Sequence, residues 1–411
     1  MAELAEQFEL HPNQIIQFRQ HAVENMAGLF AKEGAAKPKI GFRPRVDKLS
    51  VKKEIIAIDC THLVKGKCGG FESYLFGLLD GLGQIKDTSI CIFVLSSQKP
   101  YFLCYESAFK IYEVNITNSV SRIIWQNLIL PLLFLRYSKI LFPANFRPLF
   151  IFRPSVTVIH DLQYRYHPKY WGKLRLFYRR LFIPFAVIAS SKIIAISDTV
   201  KQEIIEMSPR AKNKIEVIYN PVKLSSSILV RDKRFYKNIK NYFLVPSSLA
   251  PHKNITELLE AIQILSKEPN LPTFIFTGHF SLEEFLEKYT LNSKMRVMGY
   301  VEESLLGLLY KECKAVVLPS VYEGFGIPYL EALKFKRAVI ASDIPITREL
   351  LGDEPFYIRP PFSRQEISNA ILSFLDHDNT EKIEVSMPQD ILSQVEPDFV
   401  ARKYLNNLRS C

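Results

Sequence analysis

Pro319 to Asp343 reads PSVYEGFGIPYLEALKFKRAVIASD, a strand-to-helix passage whose local chemistry decides the fold. The β-branched run Lys314 to Leu318 leads into it and reads as a strand. Glu323, Gly324, Phe325 and Gly326 then form a loop, and Pro328 stands where the first turn of a helix accepts proline. The two glycines permit close backbone approach, and the helix start beyond them offers free N–H groups and a partial positive charge. Such a loop suits a phosphate. Glu331, three residues past Pro328, is expected in the first turn of that helix. A carboxylate there does not suit the phosphate, so it serves neutral hydroxyls, as a ribose or hexose presents.

Working outward, short β-branched runs alternate with amphipathic stretches from residue 50 onward. Strands are expected at Glu54–Asp59, Ser89–Leu95, Ser155–Ile159, Lys192–Ser197 and Lys214–Ile218. The first helix carries Phe71, Tyr74, Leu75, Leu78, Leu79 and Leu82 on one face. A break follows between Lys223 and Lys240, where Arg231, Lys233, Arg234, Lys237 and Lys240 cluster. Strands resume at Asn241–Pro246, Pro272–Thr277, Lys294–Met298, Lys314–Leu318, Arg337–Ala341 and Pro355–Ile358. This alternation predicts an α/β fold of two doubly wound, Rossmann-like domains facing across a cleft. The expected divisions are a helical appendage and linker at 1–48, domains at 49–235 and 236–395, and a C-terminal helix at 396–411 that crosses back to the first domain.

Two glutamates eight apart within EGFGIPYLEA resemble the signature of the family-4 retaining glycosyltransferases (glycosyltransferases group 1), which have the GT-B fold. The likeness runs over most of residues 55 to 405. It implies that Glu323 contacts hydroxyls of the transferred sugar near the reacting carbon, that Glu331 holds the nucleotide ribose, and that Gly324, Phe325 and Gly326 line the donor site. SSLAPHKNITELLEAI, Ser247 to Ile262, is similar to the family's phosphate-gripping entry to the second domain, with Lys253 at its lysine. A cation is needed there because the diphosphate leaving group gains negative charge as the glycosidic bond breaks. Many relatives carry an arginine where Ser248 stands here, which makes His252 the candidate replacement. Gly69 and Gly70 in CGGFESYLFGLL resemble the family's double-glycine entry to the first helix, presenting amides to phosphate or acceptor. His160 in VIHDL resembles the histidine that looks towards the sugar's hydroxymethyl edge, with Asp161 orienting its ring. Met298 to Val301 match the base-pocket segment, and Ser197 and Asn220 fall near the cleft.

The implied reaction moves a hexose with retention from a nucleoside diphosphate sugar to a glycan or lipid-linked acceptor in bacterial surface-polysaccharide or lipopolysaccharide synthesis. The HDL and APHKN spellings look most like mannosyl- or rhamnosyl-type members, so GDP-mannose leads as donor. No D-x-D string is assigned to the diphosphate, and no His or Cys pair has ligand spacing in a fitting context. Lys253 and amide dipoles are therefore expected to neutralise it with neither metal nor other cofactor. Alternatives are a GT-B epimerase or phosphorylase.

Charge separates the halves. Residues 101–250 hold 23 Lys+Arg against 8 Asp+Glu, whereas residues 251–400 hold 14 against 23. A basic first half suits anions, and YRYHPKYWGKLRLFYRRLF, Tyr164 to Phe182, adds aromatics, so peripheral contact with an anionic membrane is expected. The bland alternative is a solvated basic surface with the aromatics buried. Six cysteines without a C-x-x-C pair indicate a reducing compartment, and the absence of a secretory signal indicates the cytosol, at the inner face of the membrane. The uncharged run Ile123–Leu135 is too short to span a bilayer and reads as a buried or interfacial helix. Residues 1–30 resemble the helix-turn-helix of bacterial insertion-sequence transposases. Working DNA recognition through residues 1–45 is the rival reading, and a fossil fusion with no nucleic-acid partner is preferred.

Overall fold

Strands enclosed on both faces read as continuous apolar runs, and runs such as IIAID and AVVL can be satisfied only in parallel sheets covered by helices. The computed structural model describes residues 55–66, 69–86, 88–116, 122, 125–222, 241–378 and 389–411. The helix-turn-helix and linker expected at 1–48, Cys68 and the basic cluster Arg231–Lys240 lie outside them.

The first sheet comprises β1 (Ile55–Asp59), β2 (Ser89–Leu95), β3 (Lys110–Val114), β4 (Lys139–Phe142), β5 (Ser155–Ile159), β6 (Lys192–Ala195) and β7 (Ile215–Val217). Their order is β3-β2-β1-β4-β5-β6-β7, with every pair parallel. The second comprises β8 (Tyr242–Pro246), β9 (Thr273–Thr277), β10 (Met295–Gly299), β11 (Ala315–Leu318), β12 (Ala338–Ser342) and β13 (Phe356–Ile358). Its order is β10-β9-β8-β11-β12-β13, again parallel throughout. In each sheet the winding reverses once, between β1 and β4 and between β8 and β11. A reversal leaves a crevice at the carboxyl ends of the two strands, because their connections run to opposite faces.

The helices that matter below are α1 (Gly70–Gly83), α2 (Lys173–Ala189), α3 (Asp198–Met207), α4 (Ile255–Leu265), α5 (Ile327–Lys334), α6 (Pro345–Leu351), α7 (Arg364–Asp378) and α8 (Pro397–Arg409). α1 buries Tyr74, Leu75, Leu78, Leu79 and Leu82 on one face. α8 packs against α1 and buries Val400, Ala401, Tyr404, Leu405 and Leu408. The Tyr74 and Tyr404 hydroxyls meet at 3.1 Å. Lys139 of β4 reaches the Cys411 carbonyl and Lys192 of β6 the Ser410 hydroxyl, so the last helix is tied to the first sheet.

Two strands were not expected from sequence. β3 is an edge strand whose Lys110 and Glu113 remain exposed, which erases its apolar signature. β4 is four residues long and follows closely on the apolar run Ile123–Leu135. The described part of that run is helical, as a π-helix at Trp125–Ile129 that passes directly into an α-helix at Leu130–Phe134, with Leu130 and Phe134 buried and Leu132 facing solvent. Cys60, Cys91, Cys104, Cys313 and Cys411 are all free thiols. Among the described residues no helix is long and apolar enough to cross a membrane.

Leu408 is 1% exposed at the α1–α8 contact. Leu408→Ala should lower unfolding stability by about 2–5 kcal/mol in a denaturant titration, the range for an unrelaxed leucine cavity.

Candidate active site

The reversal between β8 and β11 sets the loops following those strands side by side. The first contains Lys253 and the second Glu323, and a backbone bond from Val321 N–H to the His252 carbonyl (2.8 Å) joins them. The Lys253 ammonium and the Glu323 carboxylate meet at 2.5 Å, both largely enclosed. Burial alone would push the Glu323 carboxyl up. The Lys253 charge and hydrogen bonds from Lys253 and Ser320 outweigh it and hold the group below the ordinary range. Glu323 is thus ionised.

His252 beside it carries no charge in this arrangement. Burial, then the Lys253 charge, push its pKa down to about 4, so the ring is neutral near pH 7.

Gly326 adopts φ 85° as the residue before α5, a conformation open to glycine, and Pro328 is the second residue of that helix. Glu331 is therefore the fifth helical residue and lies in the second turn, not the first as expected. One of its oxygens accepts from the Tyr310 hydroxyl at 2.7 Å. Burial raises its pKa against that hydrogen bond. Phe325 is buried against the Tyr219 ring, 5.6 Å away.

The first half meets this loop directly. A Cβ at Gly324 would stand 2.0 Å from the His160 carbonyl oxygen, so no other residue fits there without movement. His160 follows β5, and its Nε2–H donates to the Pro143 carbonyl at 2.7 Å after β4. That bond fixes Nδ1 as the unprotonated, accepting nitrogen. Burial lowers the ring's pKa against the Pro143 bond and the Asp161 charge, so it is neutral. Asp161 does not orient the ring, contrary to expectation; the Pro143 carbonyl does. The Asp161 carboxylate instead accepts from Gln163 N–H and lies 3.9 Å from the Arg179 guanidinium. Gly69 precedes α1, and a Cβ added at Gly70 would stand 4.0 Å from the Ile327 side chain at the start of α5. The structure thus brings Gly70, His160, Lys253 and the Glu323–Gly326 loop to one cleft, with Glu331 on the helix behind it.

In the segment expected to hold the base, β10 ends at Gly299, whose carbonyl accepts from Gly278 N–H, and the Tyr300 ring lies 5.3 Å from His279. Asn220 is buried, with its Oδ1 unpaired. One D-x-D spelling does occur, Asp376-His377-Asp378; it ends α7, and among the described residues no three His, Cys, Asp or Glu side chains gather as a metal site.

Sequence reasoning also missed several contributors. Asn145 accepts from His160 N–H at 2.5 Å, Tyr322 donates to Glu203 at 2.7 Å and accepts from Leu162 N–H at 3.0 Å, and Glu349 reaches α3. None of these carried a local signal, unlike Ser197, the residue before a helix with an acidic first turn. Tyr322 and Glu203 come from opposite sheets, 119 residues apart, which no local pattern reveals.

Residues 230–384 match the family model of glycosyl transferases group 1, and residues 136–226 that of Glycosyltransferase Family 4. The O-antigen chain mannosyltransferase RfbU of Salmonella typhimurium is 31% identical over 214 residues, 51% of this chain and 58% of the relative. The O-antigen chain mannosyltransferase B of Escherichia coli is 28% identical over 56% of this chain and 63% of its own length. The chain thus spans about three-fifths of the curated relatives it matches. Anabaena HepE, solved with UDP and glucose, superposes with a TM-score of 0.66 at 19% identity, over 87% of this chain and all of that one. WaaG, a glycosyltransferase involved in lipopolysaccharide biosynthesis, gives 0.59 at 15% identity, over 85% and 95%. The fold is GT-B, and the match to the group 1 glycosyl transferase model falls on its second half.

Burial, against the Tyr322 hydrogen bond, pushes the Glu203 carboxyl up to about 7 from its ordinary 4.5. Between those values the folded protein retains a proton that the unfolded chain releases, so this group removes stability as pH rises through the window. Glu203→Gln should therefore gain stability relative to wild type from about pH 5 to 8, by up to about 3 kcal/mol in parallel denaturant titrations. A pH-independent difference would contradict the assignment.

Proposed function

We propose that this protein transfers a mannose-like hexose, with retention, from a nucleoside diphosphate sugar to a glycan or lipid-linked acceptor in surface-polysaccharide synthesis. The observation that carries the reading is the Lys253–Glu323 ion pair, whose glutamate stands in the loop that leads into α5, next to Gly324, which packs on the His160 carbonyl. O-antigen mannosyltransferases among the relatives support the sugar class and the setting.

In this reading the donor's diphosphate takes the place of Glu323 beside Lys253. Lys253 and the free N–H groups of α5 then neutralise the charge that grows as the glycosidic bond breaks. Glu323, released from the ammonium, accepts from hydroxyls of the sugar near the reacting carbon, and the second oxygen of Glu331 accepts from the ribose. The accepting Nδ1 of His160 takes a hydrogen bond from the hydroxymethyl edge. The acceptor oxygen attacks the anomeric carbon on the face the diphosphate leaves. Its proton passes to the departing phosphate oxygen, so no protein nucleophile is required.

Membrane contact belongs to the same reading. On α2, Leu174 is 82% and Phe177 64% exposed, between exposed Lys173, Arg175 and Arg180. Trp171 lies instead beneath the Arg179 guanidinium, and Tyr178 stacks on Phe182, so only part of the aromatic set faces outward. Each basic side chain near an anionic surface is worth about 1 kcal/mol, and apolar insertion adds to it.

Activity is tested by nucleotide release and product analysis with GDP-mannose and a panel of octyl glycosides. Glu323→Gln should lower kcat by about 100-fold with nucleotide affinity largely kept, while Glu331→Gln should mainly weaken nucleotide binding. Wild-type rates in both variants would refute the site. Transfer should persist in excess EDTA; loss on chelation, restored by Mn2+ or Mg2+, would show a metal requirement. Binding to liposomes should require anionic lipid and fall with salt. Equal binding to neutral liposomes would contradict the basic-face account.

A further inference from the structure

One helix of the first half receives several ties from the second. α3 begins after Ser197, whose hydroxyl oxygen accepts from Val200 N–H at 3.1 Å and whose own proton goes to the Gly324 carbonyl at 2.8 Å. One turn along, Glu203 accepts from Tyr322, the residue before Glu323. At the helix start stands Glu349, carried by α6 of the second half. Its Oε1 accepts from Asp198 N–H, and its Oε2 from both Thr199 N–H and the Thr199 hydroxyl, each at 2.7 Å. The Tyr219 hydroxyl, also of the first half, hydrogen-bonds to the same carboxylate.

Acidic caps on helix starts are usually local, supplied within three residues by the helix itself. Here Ser197 already caps α3 and Asp198 already places an acid in its first turn. The added carboxylate comes from 150 residues away, so what it fixes is the placement of α6 against α3, and not the helix. α6 in turn packs against α5, the helix that the donor loop opens.

We infer that Glu349 is a positioning residue for glycosyl transfer: by capping α3 across the cleft it docks the second half so that Ser197 holds Gly324 against His160. The inference rests on the glycosyl-transfer reading. Carboxylate-to-amide hydrogen bonds are among the stronger ones available, and their donors at a helix start have no alternative partner in the chain. Without the cap, the Lys253–Glu323 pair and Glu331 survive as a nucleotide site, because these residues lie in the second half. What is lost is their placement relative to His160. Displacement of about 1 Å suffices to slow a reaction strongly.

Glu349→Gln tests this, since it keeps the shape but turns an NH2 group towards N–H donors. Three quantities are read: kcat for transfer from GDP-mannose, the GDP dissociation constant by calorimetry, and the radius of gyration by X-ray scattering. The expected result is a kcat reduced by about tenfold or more, GDP affinity within about threefold of wild type, and a larger radius of gyration. Glu349→Asp, which restores the charge, should recover part of the rate. A merely structural role would lower GDP binding and kcat together, in proportion to the folded fraction, and that outcome overturns the inference. So does an unchanged kcat. If wild type transfers sugar from no nucleotide sugar, the glycosyl-transfer reading fails by itself. Scattering then decides the clamp alone: an expanded Glu349→Gln protein supports it and an unchanged profile overturns it.

Discussion

The His160 carbonyl leaves no space for a side chain at Gly324, and the site is organised around that contact. Two parallel sheets with their reversals facing each other would otherwise present two separate crevices. The close approach merges them. It seats the donor loop on the end of β5, brings Gly70 to the start of α5, and gives the Ser197 hydroxyl a carbonyl to hold. A loop with a Cβ at that point would stand off from the end of β5.

Within the cleft the charges are sorted by environment. Lys253 keeps Glu323 ionised despite its burial, while His252 and His160 are kept neutral, the first by burial and a neighbouring cation, the second by burial. One cation and one anion neutralise each other, which makes burying both tolerable without a ligand. In the proposed glycosyl-transfer reading, an incoming phosphate competes for Lys253 and frees a carboxylate for hydroxyls, and the neutral histidines offer hydrogen bonds without competing for that anion.

Much of this was legible in the chain. Strands buried on both faces announced themselves as apolar runs, and Gly324, Gly326 and Pro328 marked a loop-to-helix passage because each does something local. The missing elements failed for physical reasons: β3 is an edge strand with charges at its exposed positions, and β4 is too short for a pattern. Glu331 was placed one turn early because Pro328 is the second helical residue and the glutamate the fifth. The orientation of His160 by Pro143, the buried Tyr322–Glu203 bond and the Glu349 cap are contacts between distant segments. Their residues look like ordinary surface or core positions until the sheets are assembled.

The central claim is that the cleft binds a nucleoside diphosphate sugar through Lys253 and the start of α5. Thermal unfolding in the presence of a panel of nucleotides and nucleotide sugars measures this most directly, since a ligand at about 100 times its dissociation constant adds about 2.7 kcal/mol. Stabilisation by a nucleoside diphosphate and its sugar, absent with the free sugar and abolished by Lys253→Ala, is the predicted result. An unfolding temperature unmoved by every nucleotide, or moved equally in Lys253→Ala, would contradict it.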